Sequence, residues 1–290
     1  MIEVKSVSKF FSIVNDDRTA NGITAVNSIS LNIPSGKIVS FVGPSGCGKS
    51  TLLEMIAGLQ APTEGGVYID GKQVLETLPS TRKEAILYRR KHWFLSPLAN
   101  RFSGNHPKHD IAMMFQDYAV FPWMTCVGNI SFALEMRKVP KKERRQIALE
   151  YLSKVGLLEA AHKYPSQLSG GMRQRLALAR ALSVKPKVIL MDEPFAAVDA
   201  LTRKHLQEDL IKLWKETGVT IVLVTHDIDE ALYLSDTIVV FAANPGSIRN
   251  IYELDMPRPR DLRDKELREI EHRIQLLFEY DQNHESDYSI

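Results

Sequence analysis

A glycine-rich stretch in the first fifth of the chain has the composition needed to hold phosphate groups. It reads Gly43-Pro44-Ser45-Gly46-Cys47-Gly48-Lys49-Ser50-Thr51 and fits the pattern G-x-x-x-x-G-K-[ST]. Glycines let the backbone N–H groups wrap phosphate oxygens in conformations that a Cβ disfavours. Lys49 suits the β- and γ-phosphates, and the Ser50 hydroxyl suits Mg²⁺. Because the stretch follows an apolar strand and precedes a helical pattern, it predicts a site for a nucleoside triphosphate.

Two adjacent carboxylates end an apolar strand later in the chain. The segment Val188–Met191 is followed directly by Asp192 and Glu193. Successive residues of a strand point in different directions, so the two carboxylates are able to serve different purposes. We expect Asp192 to ligate Mg²⁺ and Glu193 to polarise an attacking water.

A third motif lies between the glycine-rich stretch and the two carboxylates in the sequence. Leu168-Ser169-Gly170-Gly171-Met172-Arg173-Gln174 lies shortly before the strand that carries Asp192, and it resembles the signature of ATP-binding cassette (ABC) ATPases. The resemblance implies that Ser169, Gly170 and Gly171 face the γ-phosphate held by a partner subunit. Hydrolysis would then require a head-to-tail dimer with two shared ATP sites.

The same resemblance assigns further residues in sequence order. Gln116 matches the Q-loop glutamine that contacts Mg²⁺ and the attacking water, and His226 matches the switch histidine. The stretch 197–199 resembles the D-loop and ends at Asp199, although it has valine where leucine is more usual. Phe11 occupies the place of the aromatic that stacks on adenine. Phe10 is the competing candidate, and either ring is also suited to the core.

Finer features resemble the importer ATPases of the nitrate, sulfonate and taurine group. They are Phe121-Pro122-Trp123, the run Leu168–Arg175 with its Met-Arg-Gln-Arg, the run 192–203 and the late segment Met256-Pro257-Arg258-Pro259-Arg260-Asp261. The resemblance implies a subunit at the cytoplasmic face of the cell membrane, bound to a permease that an external solute-binding protein supplies. The ATPase itself would not touch the solute.

Short apolar runs alternate with helical patterns, which predicts a parallel sheet covered by helices, preceded by antiparallel strands. The predicted fold is an α/β P-loop ATPase of the ABC type. It has an ABC domain over residues 1–254, with a helical subdomain at about 117–183, and a C-terminal helical extension over 255–290. The predicted strands are Ile2–Val7, Thr24–Ile33, Ile38–Val42, Val67–Ile69, Ile111–Phe115, Val188–Met191, Thr220–Val224 and Ile238–Phe241, and the predicted helices are Val127–Met136, Lys141–Val155, Gly171–Leu182, Ala200–Glu216 and Ile228–Leu234.

Two segments stand outside this alternation. Thr77–His109 carries seven basic residues and one acid, with interleaved aromatics. It is either a solvated insertion or a contact with an anionic membrane surface or a permease loop. A helix starting near Asp264 presents an apolar stripe, which we expect to pack on the body of the protein; the stripe consists of Leu267, Ile270, Ile274 and Leu277.

Composition limits the other function classes. A net charge of +2 argues against a dedicated nucleic-acid binder, and two cysteines are too few for a disulfide framework. The sequence has no apolar run of membrane-spanning length and no signal-peptide pattern at its start. Two alternatives remain open: the ATPase of an exporter or lipid-extraction system, and a soluble ABC ATPase acting on nucleic acid or ribosomes. Against the soluble ATPase, the chain has one cassette and no long coiled-coil insertion.

Overall fold

The computed structural model describes residues 1–14, 20–75, 110–196, 198–242 and 245–285. The predicted insertion Thr77–His109 lies outside the described residues. The chain divides into two compact units. The first comprises Met1–Ser35, Phe41–His109 and Thr237–Ile290, and the second comprises Gly36–Ser40 and Asp110–Asp236.

The first unit contains a four-stranded antiparallel sheet at its N-terminal end. Its strands are β1 (Ile2–Val14), β2 (Ala20–Ile33), β4 (Glu64–Ile69) and β5 (Lys72–Gln73), in the spatial order β2-β1-β4-β5. Ile2 pairs with Ile33 on one side and with Ile69 on the other, and all three side chains are buried. The antiparallel N-terminal strands are therefore confirmed.

The β1–β2 hairpin is longer than the sequence pattern predicts. The prediction ended β1 at Val7 and began β2 at Thr24, but pairing continues from Lys9↔Val26 to Val14↔Ala20. The alternation of apolar and polar residues does not predict these strand ends, because the apolar residues Phe10, Phe11 and Ile23 are exposed. Cross-strand hydrogen bonds, rather than alternating burial, extend these strands.

The first unit also holds the phosphate-loop segment and the C-terminal elements. The glycine-rich stretch follows strand β3 (Ile38–Val42), which is buried throughout and of which only residues 41 and 42 belong to this unit, and it precedes helix α1 (Lys49–Ile56). Strands β9 (Thr237–Ala242) and β10 (Ser247–Glu253) pair antiparallel, and helix α7 (Lys265–Glu285) packs against β9. The sequence prediction missed β10 because no residue of this strand is fully buried.

The second unit is built on three parallel strands. They are β6 (Ile111–Met114), β7 (Val188–Asp192) and β8 (Thr220–Thr225), with β7 between the other two. β7 and β8 are near-continuous apolar runs, as expected for parallel strands covered on both faces. This confirms the predicted parallel sheet.

Helices follow these strands and form the remainder of the second unit. Their N-caps include Thr125, Ser169, Asp199 and Asp227, each of which accepts a hydrogen bond from an N–H group of the first turn. Among the described residues, no helix is long and apolar enough to cross a lipid bilayer. The helices are α2 (Cys126–Met136), α3 (Lys141–Lys154), α4 (Gly170–Ser183), α5 (Ala200–Thr217) and α6 (Ile228–Leu234).

Helix α7 packs through the predicted apolar stripe, since Leu267 and Ile274 are buried. We therefore expect Ile274→Ala, which empties a fully buried position, to lower the free energy of unfolding by about 2–5 kcal/mol. Leu276→Ala is the matched control, because Leu276 lies on the same helix and is 49% exposed. Urea titration followed by circular dichroism measures both variants, and equal losses would contradict the packing of this stripe.

Candidate active site at the strand ends

Three of the residues predicted from sequence meet where the parallel strands end. Gln116, Glu193 and His226 follow β6, β7 and β8 within two residues. Gln116 Nε2 donates a hydrogen bond to Glu193 Oε2 at 3.4 Å, and His226 Nδ1 lies 3.4 Å from Glu193 Oε1. Each carboxylate oxygen of Glu193 thus has a polar neighbour, while the side chain stays partly open to water.

Glu193 has an unusual backbone conformation. Its φ of +45° lies in the left-handed region, which is uncommon for residues other than glycine. The Glu193 N–H donates to the Val224 carbonyl at 3.0 Å, and this hydrogen bond fixes the turn to β8. Such backbone strain persists only where the surroundings enforce it, and it concentrates at functional sites.

Asp192 is the last residue of β7 and pairs in register with Val224. Within the described residues, no three histidine, cysteine or acidic side chains group to hold a metal. Beside one carboxylate, a cation is also held by amide, hydroxyl, water or phosphate oxygens. That ligand set suits Mg²⁺, which is usually held by one or two carboxylates together with substrate phosphates.

The glycine-rich stretch forms a loop that ends at helix α1. Lys49 Nζ donates to the carbonyl oxygens of Gly43 at 2.8 Å and of Pro44 at 2.7 Å, so the ammonium group lies against the loop. Gly46 and Gly48 have φ values of +81° and +85°. A Cβ on Gly48 would lie 2.3 Å from the Ala25 carbonyl oxygen, so only glycine fits there.

This loop fits an anionic ligand. Gly48 caps α1 without a side chain, so no side-chain oxygen competes for the first-turn N–H groups. Those groups and Lys49 are the donors that phosphate requires, and Ser50 and Thr51 follow in the first turn. Cys47 is buried, and burial raises the pKa of its thiol, so it fills space in the loop as a neutral side chain.

The two candidate adenine-stacking rings differ in their surroundings. The Phe10 ring lies against Gly22 of the neighbouring strand, where even a Cβ would overlap it. Phe11 lies under Lys9 Nζ, which is 5.1 Å from the ring centroid. Both rings are exposed. Phe10 is 46% exposed and Phe11 39%, so both rings stay candidates for stacking on adenine.

The signature and D-loop residues begin two helices of the second unit. Ser169 Oγ accepts a hydrogen bond from the Met172 N–H at 3.3 Å, and Gly170 is the first residue of α4. A Cβ on Gly171 would lie 2.7 Å from Thr202 Cγ2, so this glycine allows α4 to approach α5 closely. Asp199 caps α5, and hydrogen bonds from Thr202 hold its pKa below the usual range. Ala197 lies outside the described residues.

Residues 26–196, more than half of the chain, match the family model described as ABC transporter. The chain belongs to the ABC transporter family. Together with the fold, this membership makes it an ABC ATPase, as the sequence motifs predicted. The predicted family is therefore confirmed.

Several named proteins are similar to this ABC ATPase over most of its length. It is 41% identical over 90% of its length to the uncharacterized ABC transporter ATP-binding protein MJ0412 of Methanocaldococcus jannaschii, 84% of which is covered. It is 39% identical over 82% of its length to the nitrate import ATP-binding protein NrtD of Synechococcus elongatus, 77% of which is covered. The bicarbonate transport ATP-binding protein CmpC of the same species is 42% identical over 91% of this chain. This chain spans only 35% of CmpC.

A solved structure supports the predicted fold. The dimeric ATP-binding cassette MJ0796 bound to ADP and Pi superposes with a TM-score of 0.67 and 33% sequence identity. The match covers 89% of this chain and all of the other. The fold predicted from sequence is confirmed.

The structure adds two residues that sequence reasoning missed. Arg180, on α4, donates to the carbonyl oxygens of Ala119 at 2.7 Å and Tyr118 at 3.0 Å, and its guanidinium lies over the Phe121 ring. Asn129, on α2, is fully buried and bonds both the N–H and the carbonyl of Phe121. These contacts anchor the segment after Gln116 to two helices. The polar Asn129 within an apolar helical pattern was the available signal.

A buried acid lies beside the strand-end cluster. Glu230, in the first turn of α6, is 5% exposed and its pKa is raised to about 8. Burial is the main cause and the charge of Asp227 adds to it, while Arg203 and a hydrogen bond with Thr225 oppose the shift. Glu230 is therefore mostly neutral at pH 7.

This pKa makes stability depend on pH. Between about pH 4.5 and pH 8 the unfolded chain releases the Glu230 proton whereas the folded protein keeps it, so stability falls as pH rises through that window. We expect Glu230→Gln to remove this loss, so its melting temperature relative to wild type rises from pH 5 to pH 8. Glu143→Gln, at an exposed position, is the control. If the melting temperatures of wild type and Glu230→Gln change with pH in parallel across this range, Glu230 does not stay protonated in the folded protein.

Proposed function

We propose that this ABC ATPase is the energy-coupling subunit of an importer, in which ATP hydrolysis drives a membrane permease. Relatives named as nitrate import and bicarbonate transport ATP-binding proteins support the direction of transport. They favour this function over an exporter, a lipid-extraction motor or a soluble ATPase acting on nucleic acid. The chain spans about a third of the length of CmpC and NrtC.

The observation that carries the hydrolytic assignment is the pair of contacts to the Glu193 carboxylate. In the proposed reaction, Glu193 accepts the proton of the attacking water as general base. His226 and Gln116, each 3.4 Å from one carboxylate oxygen, hold that carboxylate and orient the water.

The nucleotide would be held by the loop that contains Lys49. Backbone N–H groups of 43–51 and the Lys49 ammonium would neutralise the phosphates, and Phe11 would stack on adenine. Mg²⁺, when bound, would neutralise the developing phosphate charge, with ligands from the Ser50 hydroxyl, the Asp192 carboxylate and the Gln116 amide oxygen. The Gln116 amide is able both to hold the Glu193 carboxylate and to ligate Mg²⁺, because its nitrogen donates to Glu193 whereas its oxygen is the atom that binds a cation.

The partners of this subunit follow from the same proposal. A second copy would complete each ATP site head to tail, with Ser169, Gly170 and Gly171 facing the partner's γ-phosphate and Asp199 nearby. The dimeric state of MJ0796 supports this arrangement. The dimer would bind a permease at the cytoplasmic face of the cell membrane as a peripheral subunit, and an external solute-binding protein would supply the solute.

The proposed solute is a small anion. Nitrate and bicarbonate, the solutes in the names of the relatives, are both small oxyanions. The sulfonates and taurine that the sequence resemblance suggests also carry an anionic group. Measuring uptake of these solutes by a reconstituted transporter would test this class directly.

Glu193→Gln tests the proposed general base. The variant keeps the size and one hydrogen-bonding oxygen of the side chain but loses the base, so hydrolysis should fall by about 10²–10⁴-fold. ATP binding should persist, and the ATP-bound dimer should accumulate in size-exclusion chromatography. Glu159→Gln, on the surface of the same unit, should hydrolyse ATP at the wild-type rate. Turnover above about a tenth of wild type in Glu193→Gln would exclude a single-base mechanism.

Mixing two inactive variants tests the shared sites. Lys49→Ala should lose ATP affinity, because a cation that neutralises phosphate is removed, whereas Ser169→Ala should bind ATP and fail to hydrolyse it. In a heterodimer of the two, one site combines an intact phosphate loop with an intact signature. An equal mixture should therefore regain up to about a quarter of wild-type activity, because half of its dimers carry one such site.

A control for Ser169→Ala distinguishes the loss of a helix N-cap from the loss of a catalytic contact. Thr125→Ala removes a similar N-cap hydrogen bond, to the Gly128 N–H at 3.2 Å, from another helix of the same unit. It should lose about as much stability as Ser169→Ala, about 1 kcal/mol, and retain full ATPase activity. No recovery in the mixture, with heterodimers verified by crosslinking, would contradict the shared-site arrangement.

A further inference from the structure

Arg203, in the first turn of α5, connects two segments that flank the strand-end cluster. Its Nη1 donates to Asp227 Oδ2 at 3.0 Å, and its Nη2 donates to the Val198 carbonyl at 3.3 Å. Val198 lies five residues after Glu193, and Asp227 directly follows His226. One guanidinium therefore joins the segment that follows Glu193 to the loop that carries His226.

We propose that Arg203 is a positioning residue for ATP hydrolysis, which keeps His226 at the contact distance from the Glu193 carboxylate. This inference rests on the roles that the proposed function gives to Glu193 and His226. Arg203 acts through Asp227 and through the backbone at Val198.

Asp227 is suited to transmit this restraint because both of its carboxylate oxygens are used. Oδ2 receives Arg203, and Oδ1 accepts from the Glu230 N–H at 3.0 Å, which caps α6. The Asp227 N–H donates to Thr225 Oγ1 at 3.0 Å on the other side of His226. His226 thus lies between two residues whose positions are fixed, although its own side chain is 62% exposed.

The chemistry of this contact requires arginine. The planar guanidinium presents several N–H groups in a rigid fork, so a single side chain reaches a carboxylate and a carbonyl at once. A lysine ammonium is a compact charge that would satisfy Asp227 but not both acceptors in the same geometry. Arg203 is also close enough to the buried Glu230 for its charge to lower the pKa of that acid.

The first test compares Arg203→Gln with a matched arginine. Arg144, on α3, also bridges a carbonyl and a carboxylate, with Nε 2.7 Å from the Val139 oxygen and Nη1 3.0 Å from Glu135 Oε2. We expect kcat of Arg203→Gln to fall about 10- to 100-fold, because small displacements of catalytic groups have effects of this size. The KM for ATP should stay within about twofold, since Arg203 has no role in nucleotide binding. Arg144→Gln should retain both constants.

Two further variants distinguish positioning from folding. Arg203→Lys should recover part of kcat, because it restores the charge without the fork. Asp227→Asn keeps a side chain that caps α6 well but weakens the ion pair, so it should fold and lose kcat. The double variant Arg203→Gln/Asp227→Asn should fall no further than Arg203→Gln alone, because both changes break the same contact.

The outcomes separate this inference from the proposed function. If Arg203→Gln keeps kcat within about threefold, changes KM instead, or matches Arg144→Gln, Arg203 does not position the site. Additive losses in the double variant would also overturn the proposal. Should Arg203→Gln fail to fold, Arg203→Lys and Asp227→Asn decide by the same criteria. If Glu193→Gln hydrolyses ATP at the wild-type rate, the proposed function fails, and the inference fails with it.

Discussion

Parallel pairing of β6, β7 and β8 is the constraint on which the candidate active site depends. Strands that run in the same direction end at the same edge, so residues far apart in sequence arrive together there. Gln116 and Glu193 are separated by 77 positions, yet their side chains meet at 3.4 Å. Each strand contributes one side chain of the candidate site just past its end. The apolar residues within the strands affect this site by fixing the register of these ends.

The residues that follow the strands are held more tightly than loops usually are. Glu193 adopts a left-handed conformation that its hydrogen bond to Val224 helps to enforce. Arg180 and Asn129 fasten the segment after Gln116, and Asp227 is bonded on both sides of His226. A site on short, anchored turns is preorganised, so the reaction requires little rearrangement of these side chains.

The same unit tolerates a buried acid close to this cluster. Burial of Glu230 costs least when the side chain keeps its proton, and the adjacent Asp227 carboxylate favours the neutral form further. Arg203 compensates Asp227 and lowers the pKa of Glu230. The Arg203 guanidinium therefore affects both the charges of Asp227 and Glu230 at the start of α6 and, through Asp227, the position of His226.

The sequence by itself determined the phosphate loop at 43–51, the carboxylates at 192–193 and the α/β fold class. These features are local: a contiguous run of glycines, a strand ending in acids and the alternation of patterns each encode their own geometry. Only the tertiary structure decided the length of the β1–β2 hairpin, the existence of β10 and the partners of Arg203. Those depend on which distant segments pair across a sheet or a helix, and an exposed strand or a surface arginine carries no local signal of its partner.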